Sequence, residues 1–162
     1  MSYVKWRSAD EPVSTKDVYE AAKEIGVKFP QDYVKCVLEN NGAHVSPEIF
    51  DVAGKEKVFG TLLTYDKEDD EYIVEVYHDY QDTLPKHVIP FAFDPAGNLI
   101  CFDYKDHEEN PIVVFWEHEG TWEKEVLIES EGITIEEVEE VARGNVFYIA
   151  STFTAFLNKL HD

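Results

Sequence analysis

The chain has 162 residues, of which 44% are hydrophobic and 14% aromatic, so it can bury a core without staples and is too apolar to be intrinsically disordered. It carries 34 Asp+Glu against 14 Lys+Arg, a formal net charge of −20. That balance argues against direct binding to nucleic acid or to an anionic membrane, and it leaves basic proteins, or simple solubility, as the reason for the charge.

Ser14 and Thr15 can cap a helix from Lys16 to Ile25, whose apolar face is Val18, Ala21, Ala22 and Ile25. Gly26 closes it. Pro30 suits a first helical turn, and a second helix is expected from Gln31 to Glu39 with Tyr33, Val34, Val37 and Leu38 buried. Asn40-Asn41-Gly42 ends it, because these residues accept positive φ. Short strands are expected between Ile49 and Tyr65, with turns at Gly54-Lys55 and Gly60. Asp66-Lys67-Glu68-Asp69-Asp70 is a charged loop that can lead into a third helix from Glu71 to Gln81, since carboxylates favour a helix N-terminus. A strand competes there, because Tyr72, Val74, Val76 and His78 alternate.

Val88–Phe93 and Leu99–Tyr104 are two apolar runs joined by Asp94-Pro95-Ala96-Gly97-Asn98, a strong hairpin signal. Pro90 lacks a ladder donor and is expected at a bulge or an unbonded position. Pro111–Trp116 supplies the next strand of a meander. These strands are apolar on both faces, so both should be covered, at least partly by helices. A further strand is expected from Thr121 to Glu129. Thr134 can cap a helix over Ile135–Ala142, which Gly144 breaks. Phe147, Ile149, Ala150, Phe153, Phe156, Leu157 and Leu160 predict a last helix. The expected fold class is α+β, a mostly antiparallel sheet with flanking N-terminal and C-terminal helices, with residues 1–162 forming one domain.

The acid is unevenly placed. Residues 66–140 hold 23 acidic and 4 basic residues, net −19, and the remainder holds 11 and 10, net −1. Chemistry is mostly lacking. Cys36 and Cys101 form no CxxC and sit in apolar patterns, as reduced buried thiols would. The N-terminal residues Met1 to Arg7 carry no apolar signal region, and no stretch is long enough to span a bilayer, so a cytoplasmic protein is expected. Glu117-His118-Glu119 and His107-Glu108-Glu109 could offer metal ligands, but adjacent strand residues point to opposite faces, and ordinary surface histidines are the simpler reading. The Asp66–Glu71 run lacks the glycine and the bidentate glutamate of a calcium loop. No GxSxG, GxGxxG or GxxxxGK[ST] motif is present. No cofactor, no resident metal and no catalytic residue are expected, and the chain reads as a binding protein.

Phe29-Pro30-Gln31-Asp32-Tyr33 through Asn40-Asn41-Gly42 resembles the "(L/F)P-x-x-Y … x-N-G" helix of the SUKH superfamily, which includes the yeast cell-wall assembly regulators. Ile89–Asp94 and Gly97–Asp103 resemble its "IPFA-x-D-x-x-GN" hairpin and following aspartate. Pro111-Ile112-Val113 with His118-Glu119, and Ile149–Leu157, resemble its next strand and its closing "A-x-S/T-F-x-x-F-L" helix. The stretch between Glu119 and Val146 is insertion-like relative to that pattern. The resemblance implies an α+β fold and a non-catalytic immunity protein, an antitoxin whose partner is a cognate basic toxin, in many cases a nuclease. The alternative it implies is a regulatory protein-binding scaffold of the cell-wall assembly regulator type. The shared-motif residues read as scaffold, so the candidate toxin-binding residues come from the acidic excess: Asp66, Glu68, Asp69, Asp70, Glu71, Asp106, Glu108, Glu109, Glu117 and Glu119.

Overall fold

The computed structural model describes residues 4–119, 121 and 123–162. In chain order it has β1 (Lys5–Arg7), α1 (Thr15–Ile25), α2 (Gln31–Glu39), β2 (His44–Ser46), β3 (Ile49–Val52), β4 (Lys55–Val58) and β5 (Thr61–Leu62). There follow α3 (Ile73–Tyr80), β6 (Val88–Phe93), β7 (Leu99–Asp103), β8 (Ile112–Trp116), α4 (Lys124–Glu131), α5 (Ile135–Arg143), β9 (Val146–Ala150) and α6 (Phe153–Asn158). The fold is α+β, as expected.

The central sheet has five antiparallel strands in the order β5-β6-β7-β8-β9, and β1-β2 and β3-β4 form two small pairs beside it. The ladder between β6 and β7 shifts register between Pro90 and Ala92, so the proline falls at a bulge as its missing donor requires. Phe91 and Phe102 stack at 4.3 Å between ring centroids on one face of the sheet. Tyr33 of α2 meets them edge-on at 5.7 and 5.2 Å, and Phe153 of α6 meets Tyr33 at 5.6 Å. These edge-to-face contacts match the ring quadrupoles and fix α2 and α6 over the sheet. Tyr33 is fully buried, and its hydroxyl is satisfied by the Tyr65 hydroxyl at 2.6 Å. Asp32 adds a polar tie, accepting from Thr154 N at 2.9 Å and Thr154 Oγ1 at 2.8 Å. The opposite face carries Cys101, Asp103 and Trp116, and it meets Tyr80 of α3 and Arg143 of α5.

Helix starts follow local chemistry. Ser14 and Asp17 form a capping box on α1, and Thr134 and Glu137 form one on α5. Gly42 has φ +68, and a side chain there would strike Asp10 Oδ2 at 2.5 Å from its Cβ. Gly60 lies against the β6 backbone, where a Cβ would meet the Phe93 carbonyl oxygen at 2.5 Å.

Two expectations fail. The strand expected over Thr121–Glu129 is instead helix α4, ended by Gly132 at φ +66. Its Val-Leu-Ile run is too short to establish a period, and Lys124, Glu125, Glu129 and Glu131 favour helix. Trp122, part of that expectation, lies outside the described residues, as do Met1, Ser2 and Tyr3. The last helix is shorter than expected, because Val146–Ala150 is strand β9, pairing Trp116 with Val146 and Val113 with Ala150. The β-branched and aromatic residues of Val-Phe-Tyr-Ile suit the open edge of β8, and tertiary pairing overrides the helical spacing.

Candidate functional site

The Asp66–Glu71 loop leaves the core at Tyr65 and returns to it at Ile73, both buried. Its carboxylates shape it locally: Asp66 Oδ1 accepts Glu68 N at 3.0 Å, and Asp69 Oδ1 accepts Glu71 N at 2.8 Å. Thr64 N donates to the Glu71 carbonyl at 3.1 Å, closing the loop onto the extension of β5. Asp66, Glu68, Asp70 and Glu71 are exposed, and Asp69 is half-buried.

Carboxylates from outside the loop converge on it. Partial desolvation, then the negative charges of Asp69, Asp10 and Asp70, push the Glu71 carboxyl above its ordinary pKa. Burial, then Glu24, Glu20 and Asp17 of α1, push the Tyr72 phenol up in the same way. Asp10, Asp17, Glu20 and Glu24 thus belong to the same negative region, although they lie in the near-neutral part of the sequence. The spacing of Asp17, Glu20 and Glu24 is a signal that could have found three of them, since it sets them along one side of α1. Local compensation is slight: Lys16 lies 3.9 Å from Glu20, and both side chains are exposed.

The loop continues toward one end of the sheet. Asp70, Glu71 and Asp79 line a groove of about 260 Å³ that also includes Phe93 and Gly97, at the β6–β7 turn. A Cβ on Gly97 would lie 3.5 Å from His118 Cε1, so Glu117 and Glu119, which flank His118 beyond β8, occupy the same end. Glu117 is half-buried and Glu119 exposed. The turn is built by Asp94, which accepts from Ala96 N, Asn98 N and Asn98 Nδ2 at 3.0, 2.8 and 2.9 Å. Asn98 Oδ1 in turn accepts from His118 N at 3.0 Å and from His118 Nδ1 at 2.7 Å. His118 is therefore a structural link between the turn and β8.

Asp106, Glu108 and Glu109 lie elsewhere. They sit in the β7–β8 connection, which antiparallel pairing puts at the far end of the sheet from the β6–β7 turn. Asp106 and Glu108 share a cleft of about 860 Å³ with Lys23, Lys28, His87 and Lys105. Glu109 borders the adjoining cleft with Lys28 and Asp32. These three acids face a mixed surface, whereas Asp66, Glu68, Asp69, Asp70, Glu71, Glu117 and Glu119 do not share that lysine cluster.

The stretch between Glu119 and Val146 holds the α4–α5 hairpin. Lys124 Nζ to Glu139 Oε1 at 2.6 Å ties its two helices together, and Lys86 N donating to Glu139 Oε2 at 2.9 Å and Arg143 paired with Asp103 anchor it to the sheet side. Val126, Ile135 and Val141 are exposed on it among glutamates, residues that the charge pattern does not single out. Cys101 is buried as expected and Cys36 only partly so: burial, opposed by the Asn40 hydrogen bond and aided by Asp32, pushes Cys36 up to about 12, and burial then Asp103 push Cys101 up, which disfavours the thiolate at both. No described helix is long and apolar enough to cross a membrane.

No curated protein gives a significant match to the chain. A family model does: the SMI1 / KNR4 family (SUKH-1) model matches residues 12–159, a span that runs from just before the α1 cap to the end of α6. That family is generally non-catalytic and supports an immunity-like or regulatory domain, often one that binds toxins. With the Tyr33–Phe91–Phe102–Phe153 cluster and the Asp94–Asn98 turn in place, the match is to the scaffold itself, and the chain belongs to the SMI1 / KNR4 family (SUKH-1).

Proposed function

We propose that this chain is a non-catalytic immunity protein that binds and neutralises a cognate basic toxin, a nuclease, in the cytoplasm. The observation that carries this reading is the exposed carboxylate run of the Asp66–Glu71 loop, with Asp10 near Glu71 and the α1 acids Asp17, Glu20 and Glu24 near Tyr72. A nuclease must hold a polyanion in a cationic channel, and a carboxylate-rich surface can occupy that channel as phosphate would. The loop and the adjoining Glu117–Glu119 segment form the contact surface, and Asp106, Glu108 and Glu109 contribute less because Asp106 and Glu108 share a cleft with Lys23, Lys28 and Lys105 and Glu109 borders one with Lys28. Neither nucleic acid nor membrane is bound directly.

The test is co-expression with toxins encoded beside the gene, followed by purification of the pair. Survival together with a stable complex supports the reading, and cell death at the rate seen without the protein defeats it for those toxins. Family membership also supports a regulatory scaffold. Affinity capture that returns cellular regulators and no toxin would favour that alternative.

A further inference from the structure

We propose that Asp51, Glu56 and His161 bind a divalent first-row transition-metal ion, zinc in the first instance, and so fasten the segment after α6 to the β3–β4 hairpin. The three residues are far apart in sequence, and the fold brings one ligand atom from each to within 4.8 Å of the others.

The backbone sets this meeting. Register in the β3–β4 hairpin places Asp51 directly opposite Glu56, so both carboxylates share a face. Two like charges directly opposed across a ladder are destabilising, and among the described residues neither is ion-paired with a lysine or arginine. The other edge of β3 pairs with His161: Ile49 N donates to His161 O at 3.1 Å, and His161 N donates to Ile49 O at 2.8 Å. Residues 49 and 51 point to one face, so the bridge delivers the imidazole beside Asp51.

The imidazole is oriented for coordination. Nδ1 lies 3.1 Å from the Asp162 carbonyl oxygen, an acceptor that holds the proton on Nδ1. Nε2 therefore points to Asp51 Oδ2, 3.2 Å away. Ligand atoms around tetrahedral zinc stand about 3.3 Å apart at its usual bond lengths. The Asp51–His161 pair already has that separation, and Glu56 reaches it by side-chain rotation. The ion takes the Nε2 lone pair, and any proton carried there leaves to solvent. The Asp51 side chain is 63% exposed and that of His161 39%, so water completes the coordination. An imidazole among the ligands selects zinc, nickel or copper over magnesium and calcium.

The experiment is titration of the full chain with zinc chloride at physiological ionic strength and with magnesium in excess, which saturates diffuse binding to the acidic surface. One equivalent of zinc is expected to bind. His161→Ala and Asp51→Asn should each weaken it at least about tenfold, the floor for even an outer-shell partner. Glu108→Gln/Glu109→Gln removes as much or more charge and should leave the affinity unchanged. Cobalt in place of zinc should give visible absorption bands that the His161→Ala variant lacks. Absence of stoichiometric zinc binding, or equal binding by wild type and both ligand variants with native circular dichroism, overturns the proposal.

Discussion

Arg143 grips Asp103 with two guanidinium nitrogens: Nη1 donates to Oδ2 at 2.6 Å and Nη2 to Oδ1 at 3.1 Å. Nη2 also donates to the Lys86 carbonyl at 2.9 Å, so one side chain ties the end of α5 to β7 and to the loop before β6. Asp103 is buried, and loss of its partner leaves a desolvated charge. Arg143→Met should cost about 3 kcal/mol in urea unfolding. Adding Asp103→Asn should recover part of the loss, since the stranded charge is then gone.

Acid titration should separate two glutamates with opposite sign. Burial alone would raise the Glu139 carboxyl, but hydrogen bonds from Lys124 Nζ and Lys86 N, with the charges of both lysines, bring it below its ordinary value. A lowered folded pKa stabilises the protein above the unfolded value of about 4.3, and the gain is lost as pH falls through the folded value. Glu71 is raised, so its charge destabilises the folded state at neutral pH, and the penalty disappears below about 4.3. Glu139→Gln should therefore lower, and Glu71→Gln raise, the thermal midpoint at pH 7. Both differences should vanish in strong acid.

The thiols provide a reading of native packing. Cys36 is pushed up to about 12 by burial, and Cys101 is raised by burial and by Asp103. At neutral pH neither supplies appreciable thiolate, so a thiol-specific aromatic disulfide should react slowly with native protein and with two equivalents after unfolding. Fast native labelling of either cysteine would contradict the packing of α2 or β7.

Charge reversal tests the proposed toxin-facing surface. Glu68→Lys/Asp70→Lys should slow association with the neutralised toxin by about tenfold or more at low ionic strength, and added salt should shrink the difference. Glu108→Lys/Glu109→Lys should have a smaller effect, because that end of the sheet already carries Lys23, Lys28 and Lys105. Stopped-flow rates for the two variants decide between the ends.

Much of the scaffold is legible in the residues. The Asp94–Asn98 turn, the Pro90 bulge, both capping boxes and the α3 helix each follow from local chemistry that acts within a few residues. Strand β9 does not, since its state is set by pairing with β8, and helix α4 is hidden by an apolar run too short to establish a period. The acidic loop is visible as a dense charge run. Its enlargement by Asp17, Glu20 and Glu24 depends on α1 lying beside α3, and the lysines facing Asp106 and Glu108 come from the last turn of α1, the segment after it and the β7–β8 connection. The meeting of Asp51, Glu56 and His161 is likewise created by strand register alone.

The buried hydroxyl pair of Tyr33 and Tyr65 has a consequence for how such a protein can change. Tyr65 is locked into the aromatic cluster, its amide is held by Asn41 Oδ1 at 2.8 Å, and Ile73 N returns to the Thr64 carbonyl at 2.9 Å. The residues between them form a cassette clamped at both hinges. New side chains can be written into that cassette while the clamp and everything beneath it stay as they are.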